Sequence, residues 1–266
     1  MSFQIAYATD KGIVKQGNED SFLAVTARGP SGYAAFVVLC DGMGGLSKGE
    51  LASAEVVRAF SGWFREEFPL LWRPGLDAAV LQKEWERLIA SMNGKILNFG
   101  RQNHVQLGTT ATGLLLTKER YYGFHVGDSR AYEISGQALR QLTRDHSVVQ
   151  RDVDRGILTA EEAKISPRRN VLLQCIGASS TVTPDFFEGN PSQSGLYLLC
   201  SDGFVHELSE QELREAFAPE KMKSRDSMED GVKALVELIK ARGEKDNITA
   251  VLVREAANPE EKEETA

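Results

Sequence analysis

The segment FVVLCDGMGG, residues 36–45, shows the pattern from which the fold of this chain can be predicted. A run of apolar residues typical of a buried β-strand ends in one acidic residue, Asp41, and three of the next four residues are glycines. Because glycine has no Cβ, the carbonyl oxygen of Gly42 would be open to a bound ion. The segment GLYLLCSDG, residues 195–203, repeats the design. Both segments predict a strand that ends at a carboxylate suited to bind a metal.

The composition of the chain excludes several classes of protein. Its 266 residues, 42% of them hydrophobic, are enough for one large domain or two small ones, with a substantial core in either case. Acidic side chains outnumber basic ones, 38 against 31, and the net charge of −7 disfavours binding to nucleic acid. No apolar run approaches the roughly 18 residues that cross a membrane. The three widely spaced cysteines suit reduced thiols, so we expect a cytoplasmic protein that binds neither nucleic acid nor membrane.

The hydrophobic periodicity predicts sheets covered by helices. Short apolar runs bounded by turn residues predict strands along much of the chain. Apolar residues at helical spacing predict long helices over residues 51–68, 76–99 and 228–242. Four short runs between residues 109 and 143 have separators of two or three residues, which predicts an antiparallel meander.

The chain is predicted to contain one domain. No break in composition that resembles a linker interrupts residues 1–254. Residues 145–190 are more polar and less regular, with short helices predicted in SVVQRDVDRG and TAEEAK. Residues 255–266 are acidic and poor in apolar side chains, so they are predicted to be a disordered tail.

Five acidic points lie at the ends or edges of predicted strands. They are Asp41, Asp128, Asp202, Asp246 and the pair Glu19 and Asp20. If several strands of one sheet end together, these carboxylates come close, and like charges repel one another unless cations neutralise them. Oxygen ligands without cysteine or histidine at ligand spacing favour Mg²⁺ or Mn²⁺ over zinc. The sequence therefore predicts a metal site at the strand ends.

Each of these motifs also has a simpler interpretation. An Asp-Gly pair is commonly a turn, and the Gly-Asp-Ser at 127–129 suits a hairpin loop. The segment DGMGGLSKGE lacks the Gly-Lys-Ser/Thr ending of a phosphate-binding P-loop, and no Gly-x-Ser-x-Gly elbow marks a serine nucleophile. The five acidic points together favour a metal site over five unrelated turns.

A set of motifs in this chain resembles one known family. In order they are GIVKQGNEDSF, VVLCDGMGG, LGTTAT, HVGDSRAY, RDHSVVQ, LLCSDG and DNITAVLV. They are similar to those of the PPM (type 2C) metal-dependent protein serine/threonine phosphatases, in particular the bacterial members with a single domain. The resemblance implies an α+β fold, a four-layer αββα sandwich of two antiparallel β-sheets flanked by helices. It also implies hydrolysis of phosphoserine and phosphothreonine by a water that a binuclear Mn²⁺ or Mg²⁺ centre activates.

The resemblance assigns metal ligands to the acidic points. Asp41 would bridge both metals, and the Gly42 carbonyl would hold one of them. Asp202 and Asp246 would bind the first metal. The catalytic group would be a metal-bound water held by Asp41, Asp202 and Asp246.

The resemblance gives the other residues supporting roles. Glu19 would bind the second metal through water, with Asp20 beside it, and Asp128 would recruit a weaker third metal. Lys15 lies where the family has a phosphate-binding arginine and would bind the phosphate. Lysine keeps the charge of that arginine but loses its two-pronged contact.

A second departure from the family's pattern is Leu46, which stands where bacterial members have a histidine that is a candidate general acid. The proton donor is therefore left open. The histidines of the chain are interpreted as structural or exposed: His104, His125, His146 and His206. Together with Lys15, Leu46 keeps a second hypothesis open, a catalytically weak phosphoprotein-binding regulatory module of the same fold. The intact carboxylates argue against it.

Residues 145–190 match the family's flap beside the active site. Four of its arginines are predicted to contact the substrate protein, and a solvated face is the alternative for them: Arg151, Arg155, Arg168 and Arg169. The substrates would be phosphoproteins made by a serine/threonine kinase, and the chain is expected to act as a monomer.

Overall fold

The computed structural model describes residues 2–44, 48–73, 75–136, 138–192 and 195–256. The strands in these ranges are β1 (Ser2–Asp10), β2 (Ser21–Gly29), β3 (Gly32–Cys40), β4 (Gly42–Gly44), β5 (Leu107–Thr109), β6 (Ala111–Thr117), β7 (Tyr121–Val126), β8 (Arg130–Ser135), β9 (Ala138–Gln141), β10 (Asp185–Gly189), β11 (Leu196–Cys200) and β12 (Ile248–Ala256). The helices are α1 (Gly49–Glu66), α2 (Phe68–Leu71), α3 (Ala78–Asn103), α4 (Val148–Asp154), α5 (Ala160–Ile165), α6 (Asp202–Val205), α7 (Glu210–Ala216) and α8 (Arg225–Ala241).

Ten of these strands form two five-stranded antiparallel sheets. The first sheet has the order β1-β12-β11-β8-β9, and the second sheet has the order β10-β7-β6-β3-β2. A short antiparallel ladder joins β4 to β5, where Gly42 lies opposite Thr109. The ladder therefore holds the segment directly after Asp41 against β5.

The two sheets pack face to face because side chains alternate between the two faces of each strand. In β3, Ala35, Val37 and Leu39 belong to the core between the sheets, together with residues of β11 and β12. Phe36 and Val38 point the other way and pack with residues of α1 and α3. The apolar stripe of α8 covers the outer face of the first sheet. The predicted α+β fold, a four-layer αββα sandwich, is confirmed.

The long helices begin and end within a few residues of the predicted positions. At the start of α3, the side chain of Asp77 accepts a hydrogen bond from the Ala79 N–H at 2.8 Å. The helix ends at His104, whose backbone is left-handed with a φ of 53°. No helix within the described ranges combines the length and apolar character needed to cross a membrane.

The predicted meander over residues 109–143 is wrong at its centre. Strands β6 and β7 pair in the second sheet, whereas β8 and β9 belong to the first sheet. The segment Gly127–Ser129 therefore crosses from one sheet to the other and is not a hairpin loop. Gly127 has a φ of +111°, and a Cβ there would lie 2.5 Å from the Thr110 side chain, so the crossing requires glycine.

Two predicted boundaries differ from the structure. Residues Asp185–Gly189 form β10, which pairs with β7 at the edge of the second sheet, so the irregular part of the flap ends before residue 185. Strand β12 continues through Glu255 to Ala256, which lies opposite Ser2 of β1. The rest of the predicted tail, residues 257–266, lies outside the described residues.

Candidate active site

The predicted acidic residues collect at one end of the sandwich, where strands of both sheets end. They lie before β2, after β3, between β7 and β8, after β11 and before β12: Glu19, Asp20, Asp41, Asp128, Asp202 and Asp246. Residues far apart in the chain meet here because β3 and β7 end on the same side of the sandwich as β11. The sheets therefore bring together the residues that the sequence singled out.

The electrostatics of Asp41 show how close these residues lie. Burial raises the pKa of the Asp41 carboxyl well above its ordinary value, and the charges of Asp20, Asp202, Asp128 and Asp246 raise it further. Each of those four carboxylates thus opposes ionisation of Asp41. Without a bound cation, these neighbouring carboxylates therefore favour the protonated form of Asp41.

The backbone of Asp41 is held firmly by the two threonines between β5 and β6, Thr109 at the end of β5 and Thr110 after it. Its N–H donates to the Thr110 hydroxyl at 2.8 Å, and its carbonyl accepts from the Thr110 N–H and the Thr109 hydroxyl, both at 2.9 Å. A Cβ on Gly42 would lie 2.4 Å from the Gly49 carbonyl oxygen and 2.5 Å from that of Glu19. Gly42 is therefore required for close backbone packing, and its role as a metal ligand stays a prediction.

Glu19 is oriented by the first residue of α1. Its Oε1 accepts a hydrogen bond from the Gly49 N–H at 2.9 Å. Its carbonyl oxygen accepts from the Gly42 N–H at 3.1 Å and from the Ser53 hydroxyl at 2.6 Å. The segment before β2, the segment after β3 and the start of α1 are thus joined at one point.

Asn247 is a residue that the sequence analysis did not single out. Its side-chain oxygen accepts from the Glu19 N–H at 2.9 Å, and its side-chain nitrogen donates to the carbonyls of Lys11 and Gly17, both at 3.0 Å. Asn247 is only 2% exposed. Its position directly after Asp246 and before an apolar strand was the signal that could have identified it.

Asp20 is the most unusual carboxylate of the site. Both its oxygens are buried without a hydrogen-bond partner of ordinary geometry. Burial raises its pKa to about 7, and the charges of Asp202 and Asp246 contribute, although the nearby hydroxyls of Thr249 and Ser201 offset part of the rise. A buried carboxylate that repels its neighbours and lacks hydrogen bonds destabilises the fold unless a cation binds it.

Asp202 and Asp128 share this environment. Oδ1 of Asp202 is buried without a partner. Burial raises the pKa of Asp202, with Asp246 and Glu244 adding to the rise and His206 opposing it. Burial also raises the pKa of Asp128 well above its ordinary value, and Asp202 is the first charge that adds to it.

Lys15 supplies positive charge to the site. Its Nζ lies 2.8 Å from Oδ1 of Asp246. Burial lowers the pKa of Lys15, but the hydrogen bond and charge of Asp246, with the charges of Glu19 and Asp41, raise it by more. The ammonium group therefore faces the carboxylates, and its role in binding phosphate stays a prediction.

His206 is also part of the site, although the sequence analysis treated it as structural or exposed. Its Nε2 lies 3.5 Å from Oδ2 of Asp202, and its Nδ1 lies 3.4 Å from Oε2 of Glu244. Burial lowers the pKa of His206, but Glu244 and Asp202 raise it by more, so the net shift is upward. Oε1 of Glu244 accepts from the N–H groups of Lys245 and Asp246 at 2.6 and 2.9 Å. His206 and Glu244 thus link the segments that carry two predicted ligands.

The donor set fits a hard divalent cation. Its carboxylate oxygens include buried ones without hydrogen-bond partners, and such oxygens are the ligands that Mg²⁺ and Mn²⁺ prefer. Among the described residues, however, no three acidic, cysteine or histidine side chains already stand at the spacing that encloses an ion. The individual ligand assignments therefore stay predictions. Leu46, the predicted departure at the general-acid position, lies outside the described residues.

The four flap arginines fall into two groups. Arg151 and Arg168 both pair with Asp152, at 2.9 and 3.0 Å, and the Asp152 side chain is 5% exposed. These two arginines stabilise the flap itself. Arg155 and Arg169 are exposed.

Solved structures resemble this fold closely. The Mycobacterium tuberculosis serine/threonine phosphatase PstP superimposes with a TM-score of 0.80 and 29% identity, covering 96% of this chain and 99% of that one. The catalytic domain of PstP in complex with two manganese ions superimposes with a TM-score of 0.78 and 28% identity, over 96% of this chain and 99% of that one. The fold and its acidic end thus define the class as serine/threonine protein phosphatases.

Sequence comparison gives the family. The model described as protein phosphatase 2C matches residues 12–252. The serine/threonine phosphatase stp of Listeria monocytogenes serotype 4b is 30% identical over 250 residues, which cover 93% of this chain and 94% of stp. The chain belongs to the protein phosphatase 2C family. Its predicted enzyme class, a protein serine/threonine phosphatase, is confirmed.

Proposed function

We propose that the chain hydrolyses phosphoserine and phosphothreonine at a binuclear Mn²⁺ or Mg²⁺ centre. Asp41, Asp202 and Asp246 would hold the metals directly, with Glu19 and Asp20 beside them. One observation carries this proposal: both oxygens of Asp20 are buried without partners beside other carboxylates. Such an arrangement is costly without cations, and the two manganese ions of the related PstP catalytic domain support the same number here.

When bound, the metals would lower the pKa of a coordinated water and neutralise phosphoryl oxygens. The protein's own residues would set the geometry. Thr109 and Thr110 fix the peptide of Asp41, and Asn247 fixes the backbone of Glu19. Preorganised ligands of this kind need no rearrangement during the reaction.

Lys15 would bind the phosphate. The position of its ammonium group beside Asp246, and near Glu19 and Asp41, supports this role. Lysine acts as a point charge and does not grip two oxygens at once. We therefore expect Lys15 to attract the phosphate more than to orient it.

Asp128 would recruit a third, weaker metal. Its carboxyl is buried, and the charge of Asp202 raises its pKa, so the two carboxylates are neighbours. The substrates would be phosphoproteins that a serine/threonine kinase produces.

The test is phosphate release from a phosphothreonine peptide with Mn²⁺ and then with excess EDTA. We expect activity with the metal and none after chelation. Asp41→Asn should abolish activity and reduce the number of Mn²⁺ ions bound in a calorimetric titration. The matched control is Asp10→Asn, which changes another aspartate at a strand end that instead pairs with Lys240.

Equal activity in EDTA would contradict the metal mechanism. Unchanged Mn²⁺ binding by Asp41→Asn would contradict the ligand assignment. Tight binding of the phosphopeptide without release of phosphate would instead support the phosphoprotein-binding module.

A further inference from the structure

A cleft connects the active site to the flap. Its volume is about 260 Å³. Asp128 and Asp202 of the active site line it, and so do Lys164 and Arg169 of the flap. Pockets for small ligands occupy about 300–1,000 Å³, so a cleft of this size suits one or two side chains of a bound chain.

Two basic side chains of the cleft are neutralised within the protein. Arg130 makes an ion pair with Asp145 at 2.7 Å. His206 pairs with Glu244, as described above. Neither group needs a negative charge from a substrate.

Lys164 and Arg169 differ from them. Both are exposed, and among the described residues neither has an ion pair with a carboxylate within 4.0 Å. Within the described part of the chain, the guanidinium of Arg169 donates only to neutral groups, the carbonyl of Lys164 at 3.5 Å and the side chain of Asn170 at 3.3 Å. Arg169 lines the same cleft as Asp128 and Asp202, so its charge lies beside the active site.

The structure also separates Arg169 from the other flap arginines. Arg151 and Arg168 are committed to Asp152. Arg155 does not line the cleft. The positive charge left for an external anion is therefore that of Lys164 and Arg169.

We propose that Lys164 and Arg169 form a subsite for an acidic side chain next to the phosphorylated residue of the substrate. The proposal rests on the proposed phosphatase function and names the class of substrate, phosphoproteins with acidic flanking residues. A carboxylate there would meet two uncompensated positive charges. Glu210, on the α7 side of the cleft, would repel it, so the carboxylate should lie on the flap side.

The test uses three phosphothreonine peptides of equal length that differ only in the residues on both sides of the phosphothreonine. These residues are glutamate, glutamine or lysine. Each exposed ion pair changes affinity by up to about fivefold, so kcat/KM should be about tenfold higher for the glutamate peptide than for the lysine peptide. High ionic strength should reduce this ratio because salt screens exposed charges.

Variants then test whether Lys164 and Arg169 cause the preference for the glutamate peptide. Arg169→Glu and Lys164→Glu should each bring the ratio of kcat/KM between the glutamate and lysine peptides close to one. Arg169→Lys should keep the ratio of the wild type. The matched control is Arg214→Glu. Arg214 is an exposed arginine of α7 that does not line the cleft, although its neighbour Leu213 does. The control should keep the ratio of the wild type.

The outcomes are distinct. Equal kcat/KM for the three peptides, or a ratio that Arg169→Glu and Lys164→Glu leave intact, would overturn the subsite. An equal loss in Arg214→Glu would show a general field effect and would also overturn it. Hydrolysis of p-nitrophenyl phosphate by the wild type separates this question from the proposed function, because only failure of the phosphatase proposal itself would abolish that reaction.

Discussion

Replacing Asp20 by asparagine should stabilise the metal-free protein at neutral and alkaline pH. Burial and neighbouring charges raise the Asp20 pKa from 3.8 in the unfolded chain to about 7 in the folded protein. The folded state therefore holds a proton that the unfolded state releases. Stability that is present below about pH 4 is lost as the pH rises to about 7, and the loss stays constant above that pH.

The size of the stability difference follows from the shift in the pKa of Asp20. About three pH units correspond to at most about 4 kcal/mol of lost stability, at about 1.4 kcal/mol per unit. Asparagine removes this penalty but buries an amide that lacks full hydrogen bonding, which costs about 1–3 kcal/mol. The variant should therefore be more stable than the wild type by about 1–3 kcal/mol near pH 8 and no more stable near pH 4.

Urea denaturation in EDTA at a series of pH values measures this difference. Adding Mn²⁺ should reverse the order, because the wild type binds the metal more tightly and gains more stability from it. Asp10→Asn is the control, because the pKa of Asp10 is shifted in the opposite direction from that of Asp20. Burial opposes ionisation of Asp10, but the hydrogen bond and charge of Lys240 more than offset it and lower its pKa, so this variant should not be stabilised near neutral pH.

A variant Asp20→Asn that is less stable than the wild type near pH 8 in EDTA would refute the reasoning. So would a difference in stability that does not change between about pH 4 and pH 8. Either result would mean that Asp20 is a hydrogen-bonded structural residue.

Further substitutions test the rest of the site. Asp128→Ala should still bind two Mn²⁺ tightly in calorimetry yet hydrolyse peptide slowly; loss of the tight sites would contradict its assignment to a weaker metal. Lys15→Ala should raise KM for p-nitrophenyl phosphate and weaken inhibition by inorganic phosphate, and unchanged values would exclude a phosphate contact. Asn247→Ala removes three hydrogen bonds and, at about 1 kcal/mol each, should cost about 3 kcal/mol in urea denaturation, whereas a cost near zero would show that water replaces them.

Most of the fold could be predicted from local patterns of apolar residues in the sequence. The helices could be predicted because apolar side chains recur at helical spacing, as in α1, α3 and α8. The acidic residues could be predicted because each adjoins an apolar strand, and strand ends are recognisable in the sequence. The family resemblance then supplied the sandwich of two sheets, which periodicity does not contain.

Sequence alone determined most of the strands, the long helices and the residues at the strand ends, because each depends on neighbours within a few positions of the chain; β10, inside the segment predicted to be irregular, was the exception. Only the tertiary structure decided which sheet each strand joins. The short three-residue separator Gly127–Ser129 is compatible with a hairpin, and packing against Thr110 makes it a crossing. Contacts between distant residues were decided in the same way. The pairing of Lys15 with Asp246, and of His206 with Glu244, exists because the assembled sheets bring these segments together.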